Sequence, residues 1–299
     1  MNNCNTFNII TKFILFSIIL IIIYNIYHRY QLTSEKFDDN IDNQKIAFLF
    51  LTREIPNHPS YWKTFFNGHL NQYNIYMHPK YPSLVTDPFW KSNIIPTNMP
   101  TKWGDISLVE ATISLLGEAL KDQNNQRFIL VSESCLPLYN FKDFYKKLIN
   151  NSYSWIHKNY ASEKSNLLRH VTIPNPDFIS FKNFKKQSQW MVLNRSDASF
   201  FVKNQFINLF SKMFAPDEHY FINLMDKYQR PYQDKIATYL EWHNNEGSPN
   251  KFYNMDTLLI EKARQAGAIM IRKIPPSALI AIDYIFPEHD RGTKIYNKY

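Results

Sequence analysis

Hydrophobic residues in the first half of the folded region fall in short, continuous runs. Three such runs, Ile46–Leu51, Asn74–Met77 and Phe128–Val131, are each followed by polar residues. Runs of this length are typical of strands buried on both faces of a parallel sheet. A fourth run, Trp190–Leu193, predicts another strand. The pattern from Lys45 onward therefore predicts a buried parallel sheet.

Helical periodicity occupies the intervals between these runs. Residues Tyr61–Leu70 can form one helix, and apolar residues at helical spacing predict a second over Ser107–Lys121. Ser107, with Glu110 three residues later, has the pattern of a capping box at the start of the second helix. The order strand, helix, strand, helix, strand predicts an α/β fold with a Rossmann-like sheet. In such folds ligands bind beyond the carboxyl ends of the strands.

The chain before Lys45 has a different character. Residues 13–29 are mostly apolar, and their number is near the short end of the roughly 17 to 25 that a membrane-spanning helix needs. No small-x-small cleavage pattern follows them, so we expect an uncleaved transmembrane signal anchor. Residues 1–12 are then a short tail, residues 30–44 a polar stem, and residues 45–299 the globular domain.

Composition indicates a folded protein with no nucleic-acid surface. Of the 299 residues, 44% are hydrophobic, which is enough to build a sizeable core. The net charge of +8 comes from interspersed basic and acidic residues, without the charge run that marks a nucleic-acid-binding tail. The two cysteines, Cys4 and Cys135, lie on opposite sides of the predicted anchor, which argues against an intramolecular disulfide.

Five short segments with distinctive residues occur along the chain. They are Trp103–Val109 (WGDISLV), Ser132–Phe141 (SESCLPLYNF), Lys186–Trp190 (KQSQW), Pro216–Phe221 (PDEHYF) and Arg272–Leu279 (RKIPPSAL). In this order they resemble the core-2/I-branching N-acetylglucosaminyltransferase family, in particular its plant-like branch, from Lys45 to about Ile282. The resemblance implies a GT-A-like glycosyltransferase domain. It also implies inverting transfer of N-acetylglucosamine or xylose from a UDP-sugar to a hydroxyl of a glycan or glycoprotein.

Metal-binding motifs are absent from the sequence. It contains no Cys/His cluster, and it lacks the Asp-x-Asp triplet with which many nucleotide-sugar transferases hold a divalent cation. There is also no glycine-rich phosphate loop, which removes the main support for an ATPase or a dehydrogenase. We therefore expect no metal and no other cofactor, with cationic side chains in the place of the metal.

Glu218 is the candidate general base. Pro216 can open a helix, and acidic residues in a first helical turn are stabilised by the helix dipole. The residues alone therefore leave an acidic helix start as the alternative. The resemblance implies that Glu218 takes the proton of the acceptor hydroxyl as that hydroxyl attacks the anomeric carbon. Asp217 is the second candidate base or a structural cap, and we group it with the acceptor-binding residues.

Basic residues are the candidates for binding the leaving diphosphate, because fixed cations near developing negative charge lower a barrier. The resemblance implies this role for Lys273, for its neighbour Arg272 and, by a looser match, for Lys251. Solvated surface charge is the alternative for all three. On the donor side we also include His78, at the end of a predicted strand, and Glu133, which either lines the cleft or belongs to a turn.

Two tryptophans are candidates for the acceptor side. The resemblance matches Trp242 to a tryptophan that packs on the acceptor sugar, and a buried core position is the alternative. Trp190 begins the fourth predicted strand and is expected to be a core residue that adjoins the acceptor side. Sequons at Asn150 and Asn194 are candidate glycosylation sites, and the second, beside a predicted buried strand, is expected to be unused.

Lys80 leaves a second interpretation open. The family's first nucleotide-binding strand usually ends in His-x-Asp, whereas this chain has His78-Pro79-Lys80. A catalytically inactive sugar- or nucleotide-binding homologue in the secretory membrane is therefore the alternative. Charges flanking the anchor do not select an orientation. The enzymatic interpretation implies a single-pass type II protein with its catalytic domain in the lumen of a Golgi- or ER-type membrane.

Overall fold

The computed structural model describes Tyr24 and residues 43–159, 162–175, 177–242 and 248–287. Apart from Tyr24, the predicted tail and anchor lie outside these residues, as does the stem up to residue 42. Those assignments remain predictions. Within the described residues, no helix combines the length and the apolar character needed to cross a bilayer.

The strands of the described residues form one large sheet and three small ones. In chain order they are β1 (Lys45–Thr52), β2 (Tyr73–Pro79), β3 (Asn125–Val131), β4 (Leu136–Pro137), β5 (Ser154–Trp155), β6 (Lys158–Asn159), β7 (Lys186–Gln187), β8 (Val192–Asn194), β9 (Tyr232–Gln233), β10 (Thr238–Tyr239), β11 (Asn254–Met255), β12 (Met270–Ile271) and β13 (Leu279–Ile280). The large sheet has the order β2-β1-β3-β8-β5-β9. β1 pairs in parallel with β2 and β3, whereas β8 runs antiparallel to β3. The predicted parallel α/β core is confirmed, and β8 makes the whole sheet mixed.

The large sheet is packed against by the helices at residues 107–119, 141–149 and 195–203, which are among the ten helices of the described residues. The ten are α1 (Pro59–Phe66), α2 (Pro88–Lys91), α3 (Ser107–Ala119), α4 (Phe141–Ile149), α5 (Glu163–His170), α6 (Arg195–Lys203), α7 (Ile207–Phe210), α8 (Tyr220–Lys227), α9 (Thr257–Gln265) and α10 (Ile282–Ile285). The two predicted helices correspond to α1 and α3, and both end earlier than predicted. α1 and α4 pack against β1 through aromatic side chains. The Phe48 ring of β1 contacts the rings of Trp62 and Phe66 in α1 and of Phe144 in α4.

The predicted capping box at Ser107 is wrong. α3 does begin at Ser107, but its N-cap residue is Ile106 and no side chain caps it. Ser107 Oγ instead accepts a hydrogen bond from the Lys102 N–H at 3.0 Å. Asp105 Oδ1 accepts from the Ser107 N–H at 2.9 Å, so Asp105 closes the turn before the helix. Ile106 already has helical φ and ψ, so the backbone geometry of a capping box at Ser107 is not formed, and the Glu110 side chain does not cap the helix.

Two loops that follow strands are joined near one edge of the fold. β12 lies between β10, to which it is parallel, and β4, to which it is antiparallel. Arg272 and Lys273 follow β12 directly. The Ile274 N–H donates to the Ser134 carbonyl at 2.9 Å, and Ser134 belongs to the loop after β3. The end of β12 is therefore fastened to the carboxyl end of a central strand, where an α/β fold binds its ligands.

Candidate active site

Glu218 lies at the centre of a three-residue ion-pair cluster. Its Oε2 lies 3.3 Å from Arg169 Nη1 and 3.1 Å from Lys186 Nζ. Its side chain is 23% exposed, so solvent or a substrate can reach it. Among the described residues, Oε1 has no hydrogen-bond or ion-pair partner. One carboxylate oxygen is therefore fixed by two cations, and the other is available to accept a proton.

Three different elements bring this cluster together. Glu218 ends the 3-10 turn Pro216–Glu218, with Pro216 at its first position, and α8 follows one residue later. Arg169 lies in the last turn of α5, and Lys186 begins β7. Pro216 was predicted as a residue that can open a helix, and in the structure it opens this three-residue 3-10 turn, with α8 beginning only at Tyr220. No local pattern indicated that two cations from distant segments would meet the carboxylate.

His219 fixes the position of Arg169. Arginine only donates hydrogen bonds, so Arg169 Nη1 donates to His219 Nε2 at 2.9 Å, and the proton on Nδ1 is donated to the Lys185 carbonyl at 2.8 Å. The Phe184 ring stacks on the imidazole with 4.7 Å between centroids. Burial lowers the pKa of His219 to about 3, which keeps the ring neutral and able to accept.

Asp217, the residue before the candidate base, is buried. Its side chain is 7% exposed, and burial, followed by the negative charge of Glu218, raises its pKa to about 7. Asp217 Oδ1 has no hydrogen-bond partner among the described residues. The role of structural cap is wrong, because neither the 3-10 turn nor α8 has a side-chain cap. Acceptor binding by Asp217 stays a prediction.

A second cationic cluster follows β12. The Arg272 guanidinium lies over the Trp190 ring at 4.2 Å from its centroid, and burial lowers the Arg272 pKa. Its Nε has no hydrogen-bond partner among the described residues. Lys273 Nζ donates to Ser248 Oγ at 2.6 Å. Burial and then the charge of Arg272 lower the Lys273 pKa.

The remaining donor-side candidates near Lys273 are Glu133 and Lys251. The charge of Glu133 raises the Lys273 pKa and that of Lys251 lowers it, so both lie within electrostatic range of the ammonium group. Backbone bonds hold the segments in register: the Lys273 N–H donates to the Asn250 carbonyl, and the Phe252 N–H donates to the Lys273 carbonyl. Four of the five residues predicted for the donor side thus gather at one place.

His78, at the end of β2, is the fifth donor-side candidate. It is fully buried, and its Nε2 accepts a hydrogen bond from the Met99 N–H at 3.1 Å. Its Nδ1 is buried and has no partner among the described residues. Burial lowers the His78 pKa, so the ring is neutral. This side chain fastens the segment around Met99 to the end of β2, and nucleotide binding by His78 stays a prediction.

The segment Lys186–Trp190 connects the two cationic clusters. Its first residue pairs with Glu218, and its last lies under the Arg272 guanidinium. Gln187 Oε1 accepts from the Ile222 N–H at 2.6 Å, which fastens the segment to α8. Four residue steps span at most about 14 Å of extended chain. The candidate base and the candidate diphosphate site are thus attached to opposite ends of one short segment.

The two predicted tryptophans differ in their surroundings. Trp190 is buried, as predicted. Trp242 is 50% exposed, so the alternative of a buried core position is wrong for it. The Glu241 carbonyl, one residue before Trp242, accepts from the Asn250 N–H at 2.8 Å, and Asn250 in turn contacts Lys273 through the backbone. Trp242 therefore follows a segment that is hydrogen-bonded to the second cluster.

Potential metal ligands are not grouped in this part of the fold. Within the residues that the structure describes, no three His, Cys, Asp or Glu side chains are arranged to hold a metal ion. Metal-independent chemistry remains a prediction about the reaction.

Sequence reasoning missed two residues of the first cluster and one that supports it. Lys186 begins Lys186–Trp190, one of the five distinctive segments, but no sequence pattern indicated its ion pair with Glu218. His219 lies in another such segment, and its contact with Arg169 depends on the packing of α5. Arg169 belongs to a polar helix and carries no motif. Its role follows only from the three-dimensional arrangement.

The mixed α/β architecture with its parallel central strands fits a GT-A-like domain. The family described as Core-2/I-Branching enzyme matches residues 46–265, and this chain belongs to that family. The match includes Glu218 and ends before Arg272 and Lys273. The chain is also 32% identical over 169 residues to Glycosyltransferase BC10 of Oryza sativa subsp. japonica. That alignment covers 54% of this chain and 41% of the relative, so the chain spans less than half of that relative's length.

Proposed function

We propose that this chain is an inverting, metal-independent glycosyltransferase. It transfers N-acetylglucosamine or xylose from a UDP-sugar to a hydroxyl of a glycan or glycoprotein acceptor. Membership of the core-2/I-branching enzyme family supports the reaction class, and the name of the Oryza relative agrees with it. The observation that carries the proposal is the arrangement of the Glu218 carboxylate. Its Oε2 is ion-paired with Arg169 and Lys186, whereas its Oε1 has no partner within the described part of the chain.

The reaction is a single displacement. The acceptor hydroxyl oxygen attacks the anomeric carbon and forms the new glycosidic bond, while the bond from that carbon to the phosphate oxygen breaks. The electron pair of the broken bond leaves with UDP, and the hydroxyl proton passes to Glu218 Oε1. Attack from the face opposite the leaving group inverts the anomeric configuration. A positioned carboxylate contributes about 10² to 10⁴ to such a rate.

The departing diphosphate gains negative charge, and cations take the role that a divalent metal has in related chemistry. Lys273 and Arg272 supply the positive charge that stabilises the departing diphosphate. Lys251 adds a further positive charge within electrostatic range of Lys273, and the negative charge of Glu133 partly offsets the repulsion among these cations. Burial strengthens these interactions because the local dielectric is lower than that of water. The buried Nε of the Arg272 guanidinium has no partner among the described residues, so it is a donor available to a phosphate oxygen.

The acceptor lies on the Glu218 side of the site. The half-exposed face of Trp242 can cover the apolar face of a sugar. Asp217 is buried next to Glu218 in the sequence, whereas the buried Trp190 ring adjoins the acceptor side only through the segment Lys186–Trp190, because its face packs against the donor-side Arg272 guanidinium. As a type II secretory-membrane protein with a lumenal domain, the chain would meet glycan and glycoprotein acceptors together with nucleotide-sugar donors.

An inactive sugar- or nucleotide-binding homologue is the second candidate function. Lys80 stands where the family usually has an acidic residue. Lys80 is exposed, and its Nζ lies 5.5 Å from the centroid of the Tyr81 ring. A cation here cannot accept hydrogen bonds from a nucleoside, which a carboxylate could do.

A donor panel tests the proposal. The full chain is incubated with UDP-N-acetylglucosamine, UDP-xylose, UDP-glucose and UDP-galactose, with glycan acceptors and with or without EDTA, and released UDP is measured. We expect acceptor-dependent release with at least one of the first two donors, unchanged by EDTA. Loss of release on chelation would contradict the metal-independent mechanism. Binding of a donor without release would favour the inactive homologue.

A further inference from the structure

Two large aromatic side chains are exposed side by side close to Glu218. Trp103 is 73% exposed and Phe214 is 54% exposed. Their ring centroids lie 5.4 Å apart with an interplanar angle of 71°. Neither residue belongs to the site predicted from the sequence. An exposed pair of this size beside polar groups is typical of a ligand-binding surface.

The backbone holds this pair in place. Gly104 has φ of +73°, and a Cβ added to it would lie 2.7 Å from Phe214 Cε2, so the Phe214 ring packs directly on the Gly104 backbone. Ala215 has φ of +51°, and its N–H donates to the Gly104 carbonyl at 2.9 Å. The segments that carry the two aromatic residues are therefore hydrogen-bonded to each other at a position where the positive φ and the nearby Phe214 ring favour glycine.

Arg169 connects the aromatic pair to the candidate base. Its guanidinium carbon lies 5.8 Å from the centroid of the Phe214 ring, and its Nη1 lies 3.3 Å from Glu218 Oε2. Along the chain, Phe214 precedes Glu218 by four residues, with only Ala215 and the start of the 3-10 turn between them. The aromatic surface and the carboxylate thus share one neighbouring side chain.

We propose that Trp103 and Phe214 form a platform that binds the acceptor sugar ring beside Glu218. A pyranose has an apolar C–H face that packs on an aromatic ring, and hydroxyl groups at its edge that reach Arg169 and Glu218. The acceptor is the sugar concerned, because the platform adjoins the base, whereas the donor-side cations adjoin Trp190 at the other end of Lys186–Trp190. This inference rests on the proposed function and adds a subsite to it.

The test measures binding of methyl glycosides to the full chain. Methyl β-D-galactopyranoside, methyl N-acetyl-β-D-glucosaminide and methyl β-D-xylopyranoside are titrated in the presence of UDP and followed by saturation-transfer NMR. We expect at least one of them to bind, and its affinity to fall about tenfold in Trp103→Ala and in Phe214→Ala. Tyr153→Ala, which removes an exposed aromatic side chain elsewhere, should bind like the parent chain.

Three results would overturn the platform. The first is that none of the three glycosides binds to the parent chain. The second is that the parent and Trp103→Ala chains bind the glycoside with equal affinity. The third is that the Trp103→Ala and Phe214→Ala substitutions change only the Michaelis constant of the UDP-sugar. The last result would assign the platform to the donor sugar. Because the test reads binding, a chain that binds a glycoside through Trp103 but releases no UDP would refute the proposed catalysis and leave the platform standing. Thermal midpoints of all variants exclude unfolding as the cause.

Discussion

Arg169 Nη1 lies 3.3 Å from Glu218 Oε2 and 2.9 Å from His219 Nε2. One nitrogen thus links the candidate base to a buried, neutral imidazole. The imidazole is itself held by the Lys185 carbonyl and the Phe184 ring. This arrangement fixes the direction of the carboxylate, which is the condition for efficient proton transfer.

Loss of Arg169 should therefore impair turnover more than substrate binding. We expect Arg169→Ala to lower kcat by about 10- to 100-fold with little change in the donor KM, because a mispositioned base costs transition-state stabilisation. Arg169→Lys keeps the charge but not the two-partner geometry and should recover only part of kcat. Steady-state kinetics of the full chain measure both constants. Equal kcat values for the parent and Arg169→Ala chains would contradict a positioning role.

Asp217 should give the fold a pH dependence of its own. Its pKa is raised to about 7 in the folded state, against about 4 in an unfolded chain. The folded state then binds the proton more tightly, so this stabilisation is complete below about pH 4 and is lost as pH rises to about 7. The difference is on the order of 4 kcal/mol in the free energy of unfolding.

Denaturant titrations between pH 4.5 and 8 compare the parent chain with Asp217→Asn. The parent should lose stability relative to the variant as pH rises, because a neutral amide cannot ionise. Parallel stability curves across this range would show that Asp217 titrates as in an unfolded chain.

Asn194 should serve as a helix cap. Its Oδ1 accepts from the Asp197 N–H at 2.8 Å, and its Nδ2 donates to the Ser152 carbonyl at 3.0 Å. We expect Asn194→Ala to reduce the free energy of unfolding by about 0.5 to 2 kcal/mol and Asn194→Ser to keep most of it. Urea titrations measure both. Equal losses in the two variants would contradict capping. Because the amide is engaged, intact-mass measurement should find no glycan at Asn194.

Gly104 and Gly267 offer a matched pair of substitutions. Both have positive φ, but a Cβ at Gly267 meets no atom within 4 Å, whereas one at Gly104 meets the Phe214 ring. Gly267→Ala should cost about 1 kcal/mol from backbone strain alone, and Gly104→Ala should cost more because the ring must move. Thermal or urea unfolding compares them. Equal costs would mean that Phe214 does not pack on Gly104.

The parts that the sequence predicts well are those set by local pattern. Continuous apolar runs identified β1, β2 and β3, because strands buried on both faces admit little else. The start of α3 was predicted correctly, but its cap was not. The Ser107 N–H donates to Asp105, and the predicted capping box between Ser107 and Glu110 does not form. Asp105, Ser107 and Glu110 are close together in the sequence, and each can accept a hydrogen bond from a backbone N–H. Their spacing alone does not show which of them will do so.

The site was predictable only in part, for a related reason. Lys273, Arg272, Lys251 and Glu133 gather at one place because two loops are joined by backbone hydrogen bonds. Arg169 could not have been chosen, since its ion pair depends on the packing of α5 against a turn 49 residues further along the chain. Contacts of that kind are set by tertiary packing, which leaves no local trace.

The rate of product formation by Glu218→Gln tests the central claim most directly. The amide of this variant keeps the size of the side chain but cannot accept the hydroxyl proton, so kcat should fall by about 10² to 10⁴ with the donor KM nearly unchanged. Glu118→Gln, which alters the ion pair between α3 and Lys121, is the matched control and should retain the parent kcat. A Glu218→Gln chain that turns over within a fewfold of the parent would contradict Glu218 as the general base.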